Sequence, residues 1–203
     1  HLVLGRSEHR TTIEGLPAWF EFEERPARDG AMRIREVRFT GDAEAARRRV
    51  VGDGLDEAVH MGPVISVESK TRLEQAVAQG VADGAQPLVD GRGPAVRGSR
   101  QGFFVGPTVL DGLSPAHAIT GTELFGPVLG LMQVKTLDEA LAFVNQGRYG
   151  NMACLFTTSG ASARQFRMAA EVGNVGINLG VAAPMAFFPF SGAAGWLAAI
   201  MRA

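Results

Sequence analysis

The sequence predicts an α/β fold: a mixed or parallel sheet with helices on its faces. Three observations predict it. Between residues 51 and 190, apolar runs of strand length alternate with stretches whose apolar residues recur at helical spacing. Glycine and proline punctuate the boundaries, as at Gly52-Asp53-Gly54, Gly62-Pro63 and Gly106-Pro107. Thr136-Leu137-Asp138-Glu139 is a capping box, in which hydroxyl and carboxylate satisfy the free amides of a helix start.

Element by element, Met32 through Phe39 alternates apolar and charged residues, the period of a half-exposed strand. Arg47-Arg48-Arg49 reads as a solvated helix end, because nearby acids nearly balance its charge. Residues 1–50 hold ten arginines and no lysine, and the composition shifts near Val50. A helix is expected over 68–83, where Leu73, Val77 and Val81 repeat every fourth position, with Gly84 suited to its end. Residues 102–110 read as a strand broken at Gly106-Pro107, and 128–134 as a buried strand. The capping box opens a helix to about Asn145, with Leu137, Leu141 and Val144 on one face. Residues 151–157 then suit a strand, 161–171 a helix and 175–179 a strand.

Composition narrows the class. At 203 residues, with 46% hydrophobic and 20% charged, the chain can bury a sizeable core and is not a disordered type. A net charge of -1 argues against nucleic-acid binding, which calls for a basic balance or stripe. The single cysteine, Cys154, forms no internal disulfide, and the four histidines have no metal-ligand spacing, so no metal is expected. These features suit a cytoplasmic chain. It opens with His1 rather than Met, from which it is expected to be part of a longer reading frame. Residues 172–201 carry no charge and are long enough to span a bilayer, but seven glycines and prolines and two asparagines argue for buried strand and loop. No membrane association is expected.

Four places could carry chemistry. Glu123, between polar turn residues and an apolar run, could accept hydrogen bonds from two neighbouring hydroxyls such as those of a ribose. On local sequence alone, the reading as a surface glutamate before a turn is the favoured one. Cys154 sits in an apolar strand without a neighbouring base and reads as a small, buried, inert side chain. Val175-Gly176-Ile177-Asn178-Leu179-Gly180 lacks the dinucleotide fingerprint and reads as a tight turn after a strand. The three rings of Pro184 through Gly192 suit either an apolar ligand tunnel or a core plug.

Residues 51–192 resemble the C-terminal part of the aldehyde dehydrogenase catalytic domain, closest to the CoA-acylating methylmalonate-semialdehyde dehydrogenases. The resemblance is carried by Gly52-Asp53-Gly54-Leu55-Asp56, Met61 through Ser66, Gly106-Pro107-Thr108-Val109-Leu110, Glu123-Leu124-Phe125-Gly126-Pro127-Val128, Asn145 with Tyr149-Gly150-Asn151, Asn174 through Asn178, and Pro184 through Gly192. It implies NAD-dependent oxidation of methylmalonate or malonate semialdehyde, with CoA as acyl acceptor. It further implies that Glu123 binds the nicotinamide-ribose hydroxyls, that Phe125 packs near the nicotinamide, and that Phe190 lines the mouth of the aldehyde tunnel. Full-length members are homo-oligomers.

The departures are equally specific. The family's nucleophilic cysteine is expected some tens of residues before Gly52, and residues 1–51 hold none. Cys154 does not occupy that position, so no catalytic residue is assigned. A family member is more than twice this length and carries an N-terminal NAD-binding domain. The lysine-containing continuation expected after Gly192 is replaced by Ala193-Ala194-Gly195-Trp196, so 193–203 is taken as a non-family tail. Residues 1–50 are left unassigned, a flank of the kind a shifted reading frame or a fusion produces. The chain is therefore expected to be inactive alone. The alternative is a non-catalytic remnant, or a fragment that binds partner chains.

Overall fold

The computed structural model describes residues 40–98 and 101–179, together with the strands Leu4–Gly5 (β1), Thr11–Ile13 (β2), Leu16–Ala18 (β3), Glu21–Pro26 (β4), Met32–Arg38 (β5) and Ala193–Ala194 (β14). Between β5 and β14 lie α1 (Thr40–Arg47), β6 (Val51–Gly52), α2 (Val67–Ala82), β7 (Gln86–Val89), β8 (Val96–Arg97), β9 (Thr108–Asp111), β10 (Val128–Gly130), α3 (Leu137–Gln146), β11 (Tyr149–Gly150), β12 (Met152–Phe156), α4 (Gly160–Ala169) and β13 (Asn174–Ile177). Strand and helix alternate as expected, in a mixture of parallel and antiparallel pairings. The contacts divide into two compact units, one built around residues 39–132 and the other around 133–203.

In the unit around 39–132, β9 is the middle strand of the order β10-β9-β7, parallel to β10 and antiparallel to β7. Thr108, Val109 and Leu110 are all buried to within 1% of full exclusion from solvent, so both faces of β9 are covered. One cover is α2. Its Ser66 N-cap hydroxyl accepts the Ser69 N–H, and its Leu73 and Val77 are fully buried. At its far end Ala85 N–H reaches Gly80 O at 3.0 Å and Gly84 N–H reaches Val81 O at 3.1 Å, the paired bonds of a Schellman stop. Gly84 has φ +109°, a conformation that favours glycine, and this is what the sequence pattern needed there. The helix α1 packs on β7 and β9, where Arg47 Nη2 donates to Leu88 O at 2.6 Å.

Two loops are tied down by side chains. Asp56 accepts the Ala58 N–H at 2.9 Å and the Arg97 Nε–H at 2.6 Å. These bonds, the backbone one first, hold its carboxyl below the ordinary value of 3.8. The second tie lies deeper. Thr108 Oγ1 accepts the Gly91 N–H at 3.0 Å, and Gly91 O accepts the Gly106 N–H at 2.8 Å. A β-carbon on Gly91 would fall inside the Gly106 carbonyl, so the two chains cross as closely as backbones can. That crossing delays the strand expected over 102–110: residues 102–107 stay outside the ladder, and pairing begins only at Thr108.

In the unit around 133–203, β12 lies between β1 and β13 and is parallel to both. The capping box forms at the start of α3, with Glu139 N–H donating to Thr136 Oγ1 at 3.1 Å. Glu139 Oε2 reaches one residue further back than the motif implies, to the Lys135 N–H at 2.7 Å. Ala140, Leu141, Leu155 and Phe166 form the core, joining α3, β12 and α4. Two asparagines act as clamps. Asn145 Nδ2 donates to Ala169 O at 2.8 Å while its Oδ1 accepts the Glu171 N–H at 2.9 Å, closing the end of α4. Asn178 Oδ1 accepts the Thr157 N–H at 2.8 Å and its Nδ2 donates to Thr157 O at 3.0 Å. Its φ of +56° is one that asparagine tolerates.

The Thr108 tie generates a stability prediction. Thr108→Val keeps the volume but leaves the Gly91 amide buried without its acceptor, a loss of about 1–3 kcal/mol. Thr108→Ser should retain most of the stability. Urea denaturation of the three proteins measures it, and an unchanged midpoint for the valine variant would remove the tie from the account.

Candidate functional site

The connection from β9 to β10 carries the residues singled out for cofactor binding. A parallel pair requires the chain to leave the sheet and return. Here residues 112–127 make that excursion through a single 3-10 turn at Ala118–Gly121. Threonines close the turn on itself: Thr120 Oγ1 donates to His117 O at 2.7 Å, and Thr122 Oγ1 donates to Ala118 O at 2.9 Å. The return is fixed by Thr108 N–H to Pro127 O at 2.8 Å and Val128 N–H to Gly126 O at 2.8 Å.

Between these fixed points lie Glu123 and Phe125. Glu123 is exposed and makes no hydrogen bond or ion pair with another described residue. Its carboxylate therefore keeps its acceptor sites open to a ligand. Phe125 is 84% exposed and has φ +52°. A left-handed conformation costs a non-glycine residue about 1–2 kcal/mol, and the exposed ring recovers little of it by burial. The next residue supplies the reason the backbone goes there. A β-carbon on Gly126 would overlap both terminal methyls of Leu73, a fully buried side chain of α2. Glu123 and Phe125 are thus brought together on one loop and presented to solvent. Phe190, and with it the tunnel or plug of residues 184–192, lies outside the described residues.

Cys154 corrects one expectation. It occupies β12 as expected but is half-buried rather than buried. Its partner across the parallel ladder is Gly176, which has no side chain to cover it. A β-carbon on Gly176 would sit 2.7 Å from Cys154 Sγ, so the sulfur occupies the space the glycine leaves. Val175 through Gly180, read as a turn, holds the Asn178 clamp instead of a phosphate cradle as far as it is described. Among the described residues there is no cluster of potential metal ligands, and no helix is long and apolar enough to cross a membrane.

Comparison with known proteins places this geometry. The model of the aldehyde dehydrogenase family matches residues 36–195, beginning on β5 and taking in α1, within the segment left unassigned by sequence. Malonate-semialdehyde dehydrogenase 2 of Bacillus thuringiensis (strain Al Hakam) is 49% identical over 150 residues, 73% of this chain and 30% of that protein. Malonate-semialdehyde dehydrogenase of Halalkalibacterium halodurans is 45% identical over 149 residues, again 73% and 30%. The chain thus spans about 30% of the length of the curated relatives it matches. The crystal structure of methylmalonate-semialdehyde dehydrogenase from Oceanimonas doudoroffii superimposes with a TM-score of 0.72 at 35% identity, covering 75% of this chain and 31% of that one. An NAD complex from Sinorhizobium meliloti 1021, assigned as a methylmalonate-semialdehyde dehydrogenase, gives 0.71 at 33%, covering 74% and 30%.

The Cys154–Gly176 contact predicts a coupling. Gly176→Ala should destabilise the chain by about 1–3 kcal/mol through overpacking, and Cys154→Ala in the same chain should recover part of that loss. A double-mutant cycle by thermal or urea unfolding measures the coupling. Strict additivity would show that the sulfur does not occupy that space.

Proposed function

The chain belongs to the aldehyde dehydrogenase family, and from that premise we propose that it is a segment of a cytoplasmic, NAD-dependent, CoA-acylating dehydrogenase of methylmalonate or malonate semialdehyde. The observation that carries the reading is the pairing of Glu123 and Phe125 on the β9–β10 connection. An unpartnered carboxylate and an exposed ring, two residues apart, suit a sugar diol joined to a flat heterocycle. The malonate- and methylmalonate-semialdehyde names among the similar proteins support the choice of substrate class.

In this reading Glu123 accepts hydrogen bonds from the two hydroxyls of the nicotinamide ribose, which fixes the rotation of the sugar. Phe125 lays its ring beside the nicotinamide and keeps water from that side. Phe190 is proposed to line the entry for the aldehyde. NAD, when bound, supplies the hydride acceptor. The described residues fit only the nicotinamide-ribose end of that cofactor, and among them no base is hydrogen-bonded to Cys154 to activate it. The thiol that attacks the aldehyde and hands the acyl group to CoA is therefore assigned to no residue of this sequence. The whole reaction belongs to a longer polypeptide with an NAD-binding domain, and full-length members of this kind are proposed to be homo-oligomers.

Magnitudes set the expectation for the 203 residues alone. A charge-assisted hydrogen bond contributes about 1.5–3 kcal/mol and an aromatic contact about 0.5–1.5 kcal/mol. Micromolar binding requires about 8 kcal/mol, whereas about 4 kcal/mol corresponds to 1 mM. The purified chain should release no NADH with methylmalonate semialdehyde and CoA, and should show no micromolar NAD binding by calorimetry. Nicotinamide mononucleotide should bind at about 1 mM or weaker, shifting the NMR signals of Glu123 and Phe125, with the effect reduced by Glu123→Ala. Micromolar NAD binding weakened by Glu123→Ala would show a complete cofactor site in this chain. Absence of any shift at these two residues would remove them from the site and favour the non-catalytic, partner-binding alternative.

A further inference from the structure

We propose that Leu73 of α2 is the positioning residue for the Phe125 ring, acting through the missing side chain of Gly126. The inference rests on the reading of Glu123 and Phe125 as a nicotinamide-ribose site, but its mechanical half stands independently of any ligand. The left-handed backbone of Phe125 is unfavourable for a residue with a β-carbon, and an 84% exposed ring makes few contacts to offset it. The conformation is therefore imposed by the neighbouring chain.

Three constraints act just downstream of Phe125. Pro127 fixes its own φ and restricts Gly126, the residue before it. The Pro127 carbonyl accepts the buried Thr108 amide, and the Gly126 carbonyl accepts the Val128 amide, so the peptide planes at 126 and 127 cannot turn freely. The third constraint is steric. The methyls of Leu73 fill the volume that a side chain at 126 would need, and Leu73 has no exposed surface through which to swing aside. Upstream, the threonine-closed turn ends at Thr122. The rotation needed to join these two fixed ends falls on the residues between them, and Phe125 carries it as a positive φ.

Leu73 therefore does more than fill a core. Its methyls seat the backbone of Gly126, that seat sets the turn at Phe125, and the turn sets where the ring stands relative to Glu123. A side chain at 126 would lift the loop from α2 and carry the ring away from the nicotinamide face. A smaller side chain at 73 would make room for it again. This compensation separates positioning from simple loss of stability, because the double variant lacks core volume yet regains the loop geometry.

The test uses the whole chain as parent, Gly126→Ala, Leu73→Ala/Gly126→Ala and, should the alanine pair fail to fold, Leu73→Val/Gly126→Ala. Two readouts are taken: the Phe125 Cα and Cβ chemical shifts, which report its left-handed backbone, and the Phe125 shift perturbation at a fixed sub-saturating concentration of nicotinamide mononucleotide. Gly126→Ala should move Phe125 out of the left-handed region and reduce the perturbation about tenfold, the equivalent of about 1.4 kcal/mol. The double variant should restore both. Retention of the left-handed shifts in Gly126→Ala would overturn the proposal, and so would a moved Phe125 with unchanged response to the mononucleotide. If the parent itself shows no response, the cofactor reading fails, and the backbone shifts alone decide whether Leu73 holds the loop.

Discussion

The crossing of residues 90–91 over residues 106–108 is the constraint on which the unit around 39–132 depends. Gly91 and Gly106 approach too closely for any β-carbon on Gly91, and the buried Thr108 hydroxyl takes the Gly91 amide. An amide caught in such a place has no route to water, so it must be satisfied from within. The hydroxyl does this from the first residue of β9. That fixes where β9 starts, and the register Thr108 with Val128 then fixes where β10 must return. The loop bearing Glu123 and Phe125 is consequently closed at its base by the buried β9 and the half-buried β10, although the two residues themselves face solvent.

This arrangement explains which parts of the fold were legible in the sequence. The helices α2, α3 and α4 stand within one or two residues of their expected bounds, because amphipathic spacing and local caps act through neighbouring residues. The strand β12 is likewise a continuous apolar run, and β13 is apolar after Asn174. The short strands β6, β7 and β8 left no comparable trace. Two residues have no measurable period, and β7 contains Pro87, which offers no amide to the ladder and lies at a register shift against β9. The late start of the strand expected over 102–110 depends on a contact with Gly91, remote in sequence, which no local pattern encodes.

The candidate site was legible to the same extent and for the same reason. Glu123 stood out by the contrast of a carboxylate at the lip of an apolar run, a local signal. That its acceptor sites are left unpaired, and that Phe125 adopts a positive φ, are outcomes of tertiary packing against α2. Asn145 and Asn178 could be recognised as family marks without their roles being apparent. Asn145 lies one helical turn beyond Leu141, on the core-facing side of α3, where an amide needs partners from another element. Its partners belong to the end of α4, more than twenty residues away.

The marks that make this chain recognisable are therefore mostly parts of the scaffold. Gly106 and Thr108 serve the backbone crossing, Gly52 and Asp56 hold a loop against Arg97, and Asn145 and Asn178 close chain ends. Within the motif Glu123 through Val128, Glu123 and Phe125 face outward while Gly126 and Pro127 serve the packing. Close family likeness over 30% of a relative's length consequently certifies the scaffold far more strongly than the reaction. A scaffold is overdetermined by many buried contacts, made within this one segment. A cofactor site is in general underdetermined by any single segment, because its affinity comes from groups gathered from separate parts of a chain.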